Sequence, residues 1–584
     1  MRIPIRCFAV LIALFFCAAA VHAQLADRKE SPFEALRWVD GEPQVFVASV
    51  WYHPVSIDGV DVGAILAFCE VRWPGLREKR FGEDLVEAVE LMGHSLPTAV
   101  DLVLLRVDDG QRVEVDDVPM TRANRRAILN SVQVADISRL QAIEDIDAFK
   151  RVLDDQFAYR YWRPVDLDEE LANVQASLGD RVSRHELATA LNRVLALFGD
   201  GHARVRPPTP NDAGKRYTPF LLGDVGDGFV AFQSDRSDFI DPGYPYLIAI
   251  DGVGIEQWIA AAEIDITRGS PQLMRDRSMR MLRELDLIRD RLGLPRSESV
   301  RCRLASGTDG LETIEVNLEL IGRKPIYGIW PQSESGILEG DIGYLRIERM
   351  TDEVVPAIRS SMDAFRGTDG LIIDVRGNGG GTRSALLAIA GYLVGPDEGP
   401  WVANVAKYRL SDRFESDHLE ARSMYRSQSE YWSEAQKEAI EKFADGFSPD
   451  WVPGAGFSAW HYLVLDRTGD AGEYFYDRPV VVLSDSGCFS ATDIFLGALA
   501  ERPRITLLGS ASAGGSARSQ RYRLPNSGIE ITCASMASFR PDGRMYDGRG
   551  IEVDIELNSE PVDFLINGGD AVLDAACAYI RAGH

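Results

Sequence analysis

The chain has 584 residues, 45% of them hydrophobic and 26% charged, and a formal net charge of −26. That length accommodates three or four domains of about 100–200 residues each, and the composition is that of a globular protein rather than a disordered or fibrous one. The negative charge argues against nucleic acid as a partner.

Residues 1–23 read as an export signal. Arg2 and Arg6 make a positive start, residues 7–20 are an apolar run, and Val21-His22-Ala23 ends on a small residue before Gln24. The run is short for a bilayer span, and no later run is long enough for one. Bulky Phe16 before Cys17 argues against a lipid anchor. The expected mature protein is exported, periplasmic or secreted, and does not span the membrane.

Residues 24–135 form an expected small α+β domain, with strands near 44–51, 100–107 and 112–115 and a helix near 82–92. Residues 136–214 form a helical segment, with helices near 146–157 and 185–198. Ser183 with Glu186 three residues on is a capping pattern for the second helix, which stops at Gly199-Asp200-Gly201-His202. Residues 215–325 alternate short strands (228–233, 246–250, 300–305, 313–320) with a charged helix over 274–292. Residues 326–584 read strand, helix, strand, helix, the order of an α/β domain. Strands are expected at 342–347 and 370–375, and helices at 354–365 and 384–393. Residues 405–447 read as a mostly helical insertion. No internal repeat is evident.

Five cysteines lie beyond the signal: Cys69, Cys302, Cys488, Cys533 and Cys577. Their spacing matches no metal site, and no cofactor is implied. A disulfide is compatible with export, without an assignable pair.

Residues 479–483 are a short β-branched run, and Ala491, Ile494, Phe495 and Ala498 follow at helical spacing. Ser490 therefore sits where a strand ends and a helix begins, facing amides that favour developing negative charge. That suits a nucleophile and equally an ordinary N-cap. Cys488 is a small residue in a tight turn. Among the histidines His53, His94, His185, His202, His418, His461 and His584, His202 stands out in its glycine-flanked loop; a structural role is the competing reading. The run 377–381, glycine except for Asn378, follows a buried strand. Its amides suit an oxyanion hole. No Gly-Lys-Ser/Thr follows, which excludes a phosphate loop of that type.

These blocks resemble one family in order and spacing. They are Gly343-Tyr-Leu-Arg-Ile-Glu348, Leu371-Ile-Ile-Asp374-Val-Arg376-Gly-Asn378-Gly-Gly380-Gly, Gly487-Cys-Phe-Ser490-Ala-Thr-Asp493, Gly509-Ser-Ala-Ser-Ala-Gly-Gly and Gly550-Ile-Glu-Val-Asp554. The family is that of the C-terminal-processing proteases and the tricorn core protease. The resemblance implies a crotonase/ClpP-like α/β core (326–584), a helical cap (136–214) and a PDZ-like β-rich module (215–325). Tyr246-Leu-Ile-Ala-Ile-Asp-Gly-Val-Gly-Ile carries the PDZ-like hallmark, and residues 24–135, with Val55-Ser-Ile-Asp-Gly-Val-Asp-Val, resemble a degenerate second copy. It implies Ser490 as nucleophile and an oxyanion hole of the Ala491 amide with that of Gly380 or Gly381. Gly515 stands where the processing branch has a lysine base. Asp200-Gly201-His202 resembles the histidine motif of the tricorn-like branch, which makes His202 the base and Asp547 its acidic partner, where Glu is commoner. Glu552 is a weaker substitute. The expected activity is peptide hydrolysis through an acyl-enzyme on peptide or protein substrates, without cofactor or metal. An inactive peptide- or ligand-binding protein and an esterase are the alternatives. An unperturbed histidine base would titrate near about 6.5.

Overall fold

The computed structural model describes residues 28–583 apart from 40, 49, 74–76, 132–135, 209–215, 329–333, 413–417, 468, 470–471, 558–559 and 566–568. The expected export signal lies outside the described residues. The chain divides into two compact units, Met1–Asp136 and Ile137–His584.

An Asp-Gly turn organises the sheet of the first unit. Strand Val50–Ile57 runs into Asp58 and Gly59, at φ 49° and 78°. The chain returns as Val60–Asp61 and starts the helix Val62–Arg72. Aspartate and glycine tolerate this left-handed backbone best. A second such turn lies in the other unit. Strand Tyr246–Ile250 runs into Asp251 and Gly252, at φ 48° and 81°, then Val253–Gly254 and the helix Ile255–Glu263.

Around these turns the two sheets match element for element. Each has six strands, ordered first, second, third, fifth, sixth, with the short fourth strand paired to the third. Each inserts three helices between its fourth and fifth strands. The structure therefore holds a repeat of topology that the sequence marks only at the two Ile-Asp-Gly-Val turns. Sheet positions demand alternating burial, not particular side chains, so the architecture survives without recognisable identity. The expected strand over 44–51 is two strands, Glu42–Val47 and Val50–Ile57, parted at Ala48 (φ 47°). Each expected helix over 82–92 and 274–292 is likewise a pair: Arg77–Glu83 with Leu85–Leu91, and Pro271–Met281 with Leu285–Leu292.

The α/β core centres on a six-stranded sheet. Ile342–Arg346, Gly370–Asp374, Val480–Ser484, Ile505–Gly509 and Ile555–Glu556 run parallel, with Gly336–Leu338 antiparallel at one edge. Alternate side chains fill opposite layers. Leu371, Ile373, Val480, Val482 and Leu507 pack with the helices Ser384–Leu393 and Ala491–Leu499. Ile372, Val481, Leu483 and Leu508 pack with Ala571–Arg581. Burial on both faces is why these strands read as unbroken apolar runs.

The stretch 405–447 is less helical than expected. It begins in the strand Trp401–Tyr408, which pairs with His461–Leu465 and Met536–Phe539, and its one long described helix is Glu434–Gly446. The helical segment joins the core. Ser183 caps Arg184–Ala196 by accepting from Glu186 N–H, as its spacing implies. Arg204–Arg206 then pairs with Glu530–Ala534. Phe149, Leu153, Phe157 and Leu191 share one core with Ile531, Ala534 and Phe539. That packing fixes the loop between helix and strand, where His202 lies.

Candidate active site

Three adjacent parallel strands end at one place, and each hands over to a loop of the site. Gly370–Asp374 leads to the glycine run, Val480–Ser484 to Ser490, and Ile505–Gly509 to 510–516. The carboxyl ends of parallel strands are where α/β folds place ligands.

Ser490 precedes the helix Ala491–Leu499 with φ 64° and ψ −115°. A non-glycine residue there is strained. The surroundings hold it. Ser490 N–H donates to Asp493 Oδ2 (2.7 Å), and Phe489 N–H donates to the Asn378 carbonyl (3.0 Å). Asp493 is fully buried, and its carboxylate also accepts from Ser512 Oγ, Gly514 N–H and Gly515 N–H. One side chain thus joins the serine turn to the neighbouring loop.

The glycine run packs directly on this turn. A Cβ on Gly380 would lie 2.5 Å from the Phe489 carbonyl, 2.7 Å from Ser490 Cβ and 2.8 Å from Ala491 N. Glycine keeps the Ala491 amide open. Of the amides named for an oxyanion hole, that of Gly380 donates to Asn378 Oδ1 (2.9 Å). Those of Gly381 and Ala491 donate to no described residue.

His202 lies beside this turn. Its ring stacks on Phe489, with centroids 4.3 Å apart and planes at 28°. It makes no hydrogen bond to Ser490, and its Nδ1 is buried without a partner among the described residues. Burial, then the nearby Arg277, Arg422 and Arg204, lowers its pKa to about 3. Asp200 Oδ1 lies 3.9 Å from Nδ1.

Asp547 does not hydrogen-bond the imidazole. Its carboxylate accepts from Gly201 N–H (3.3 Å), Tyr159 Oη–H (2.8 Å) and Ser516 N–H (3.1 Å). It holds the histidine loop rather than the ring. Asp200 accepts from His202 N–H and Ala534 N–H, both at 2.8 Å. Burial raises both carboxyls, that of Asp200 to about 7, with Asp547 its next contributor. Glu552 instead lies 3.4 Å from an Arg544 nitrogen, in an exposed pair.

The potential ligand atoms of Asp200, His202 and Asp547 lie within 4.8 Å of one another. A cation fits poorly there. All four carboxylate oxygens already accept hydrogen bonds, and three arginines act on the ring. Cys488 is also no candidate nucleophile. Its thiol is buried, donates to the Val375 carbonyl (3.0 Å), and is held well above its ordinary pKa by burial.

Sequence reasoning missed Asp200 as the acid nearest the ring, Phe489 as its stacking partner, and Arg277. Asp200 was legible, two residues before His202. Arg277 was not, because it lies on the helix Pro271–Met281, far along the chain. That helix docks on the site through its first turn: Ser270 Oγ donates to the Ala513 carbonyl and Gln272 Nε2 to the Ser512 carbonyl.

A strained serine at a helix start, an amide beside it that donates to no described residue and a histidine stacked on the preceding phenylalanine suit a serine-type peptidase. Residues 341–557 match the model of peptidase family S41, and the chain carries a domain of that family. Similar solved structures support the fold. Mature CPAF is 18% identical with a TM-score of 0.54, over 76% of this chain and 98% of that chain. A serine-to-alanine mutant of CPAF is 17% identical, TM-score 0.56, over 76% and 98%. Mature CPAF complexed with lactacystin is 16% identical, TM-score 0.52, over 76% and 97%.

Proposed function

We propose that the protein is an exported serine endopeptidase, periplasmic or secreted, in which Ser490 forms the acyl-enzyme and His202 is the general base. The observation that carries this reading is the strained Ser490 with the open Ala491 amide against Gly380. Ser490 Oγ attacks the scissile carbonyl carbon as His202 takes its proton. The carbonyl oxygen becomes an oxyanion that accepts from Ala491 N–H and, in place of the occupied Gly380 amide, from Gly381 N–H. Collapse expels the amine, which takes the proton back from His202. Water then releases the acyl group by the same route. The imidazole has to turn from Phe489 toward Ser490 for the first step. Asp200 is the acid placed to orient it, and Asp547 steadies the loop below.

The core is read as crotonase-like and the repeated sheets as PDZ-like. Strand Phe220–Asp224 is an edge strand whose Leu222 N–H donates to Tyr327 Oη (3.1 Å) and whose Phe220 carbonyl accepts from Thr218 Oγ (3.0 Å), and it lines, through Leu222, Gly223 and Asp224, a cavity of about 840 Å³ that extends to Phe489. An extended peptide laid along that cavity would be directed toward the serine.

A non-catalytic peptide-binding protein is the second reading. The absence of a hydrogen bond between His202 and Ser490 and the occupied Gly380 amide favour it. Ser490→Ala separates the two: peptide hydrolysis by the wild type, abolished in a folded variant, is the expected result. Turnover that survives the substitution removes Ser490 from the mechanism.

A further inference from the structure

Four arginines line the cavity that reaches Phe489: Arg275, Arg277, Arg280 and Arg376. Three are paired. Arg275 meets Asp224 at 2.5 Å, Arg280 meets Asp276 at 2.7 Å and Arg376 meets Asp570 at 2.7 Å. Arg277 makes no hydrogen bond or ion pair among the described residues, and its guanidinium carbon lies 5.2 Å from the centroid of Phe489. Phe489 is the residue before Ser490 and the ring on which His202 stacks. The half-buried Arg277 guanidinium is thus free to take a partner from the cavity, and its planar fork matches a carboxylate.

We propose that the protein selects acidic peptides, with Arg277 binding one substrate carboxylate close to the scissile bond. This rests on the peptidase reading above and names its substrate class. The preference is for one position. Glu556 and Asp563 also line the cavity and would repel acidity spread along the whole peptide. The position has a consequence for the base. Of the charges around His202, that of Arg277 acts most strongly against protonation of the ring, after burial itself. A carboxylate seated on Arg277 offsets that charge, so a correct substrate also makes the imidazole a better proton acceptor.

The test is a series of fluorogenic peptides, each made as a Glu and Gln pair at one position flanking the scissile bond. It uses the mature protein as wild type, Arg277→Met and Arg277→Lys, with fluorophosphonate labelling of Ser490 run alongside. At one position the wild type is expected to cleave the Glu peptide with a kcat/KM about tenfold above its Gln partner, equivalent to about 1.4 kcal/mol. The ratio should fall to near one in Arg277→Met and return in part in Arg277→Lys. Equal rates for every pair in the wild type overturn the acidic preference while leaving the peptidase reading intact, as does a ratio unchanged in a labelled Arg277→Met protein. No cleavage of any peptide together with no Ser490 adduct overturns the peptidase reading, and this inference with it.

Discussion

Burial governs the chemistry of single residues here. His202 in water would titrate near about 6.5, but its largely buried, arginine-flanked position lowers that to about 3. The imidazole is therefore neutral through the physiological range, and an acid limb near pH 6.5 is not its own. Asp200, raised to about 7, takes up a proton in that window. Its folded pKa exceeds its unfolded value of about 3.9, so the folded state binds the extra proton and gains stability from this group as pH falls from about 7 to 4. Any loss of rate below neutrality should thus occur in a folded protein. We expect the limb in kcat/KM to vanish in Asp200→Asn. A limb that stays near 6.5 in that variant would mean that the ring titrates in water, against its stacked burial. At this scale the place of Ser490 at a helix start and that of His202 in a loop after a helix were legible from local pattern. The engagement of Gly380 N–H by Asn378, and the pairing of Asp547 with Tyr159 and Ser516, were not. The first is a local turn of the Asn378 side chain onto an amide two residues on, and the second joins Asp547 to Tyr159 across 388 residues and to the Ser516 amide across 31.

Elements meet at the serine turn through Asp493. It takes four hydrogen bonds from Ser490, Ser512, Gly514 and Gly515, all while fully buried. Replacing one acceptor oxygen by an NH2 group sets donor against donor. Asp493→Asn should cost about 2–3 kcal/mol of stability in denaturant unfolding and slow Ser490 labelling. Unfolding and labelling both equal to wild type would show that the carboxylate does not hold the turn. Strand and helix positions in the core were well marked in the sequence, because a parallel sheet buried on both faces leaves continuous apolar runs. Splits at 48 and between the paired helices were not. They depend on a left-handed Ala48 and on short breaks that apolar spacing does not register.

At the scale of the whole molecule, five cysteines among the described residues are free and buried: Cys69, Cys302, Cys488, Cys533 and Cys577. A disulfide, left open by the sequence, is not formed among them. Thiol titration should find five groups in denaturant without reductant and slow reaction in the native state. Fewer thiols in denaturant would reveal a bridge. The two matching six-stranded sheets were foreshadowed only by the paired Ile-Asp-Gly-Val turns, since the rest of the repeat lies in topology and not in identity.

The central claim is an activated Ser490. Its most direct measurement is mass-spectrometric detection of a fluorophosphonate adduct on the purified protein beside His202→Ala. An adduct at Ser490, lost or strongly slowed in the histidine variant, is the predicted result. A folded wild type that carries no adduct, or equal labelling with and without His202, would contradict it.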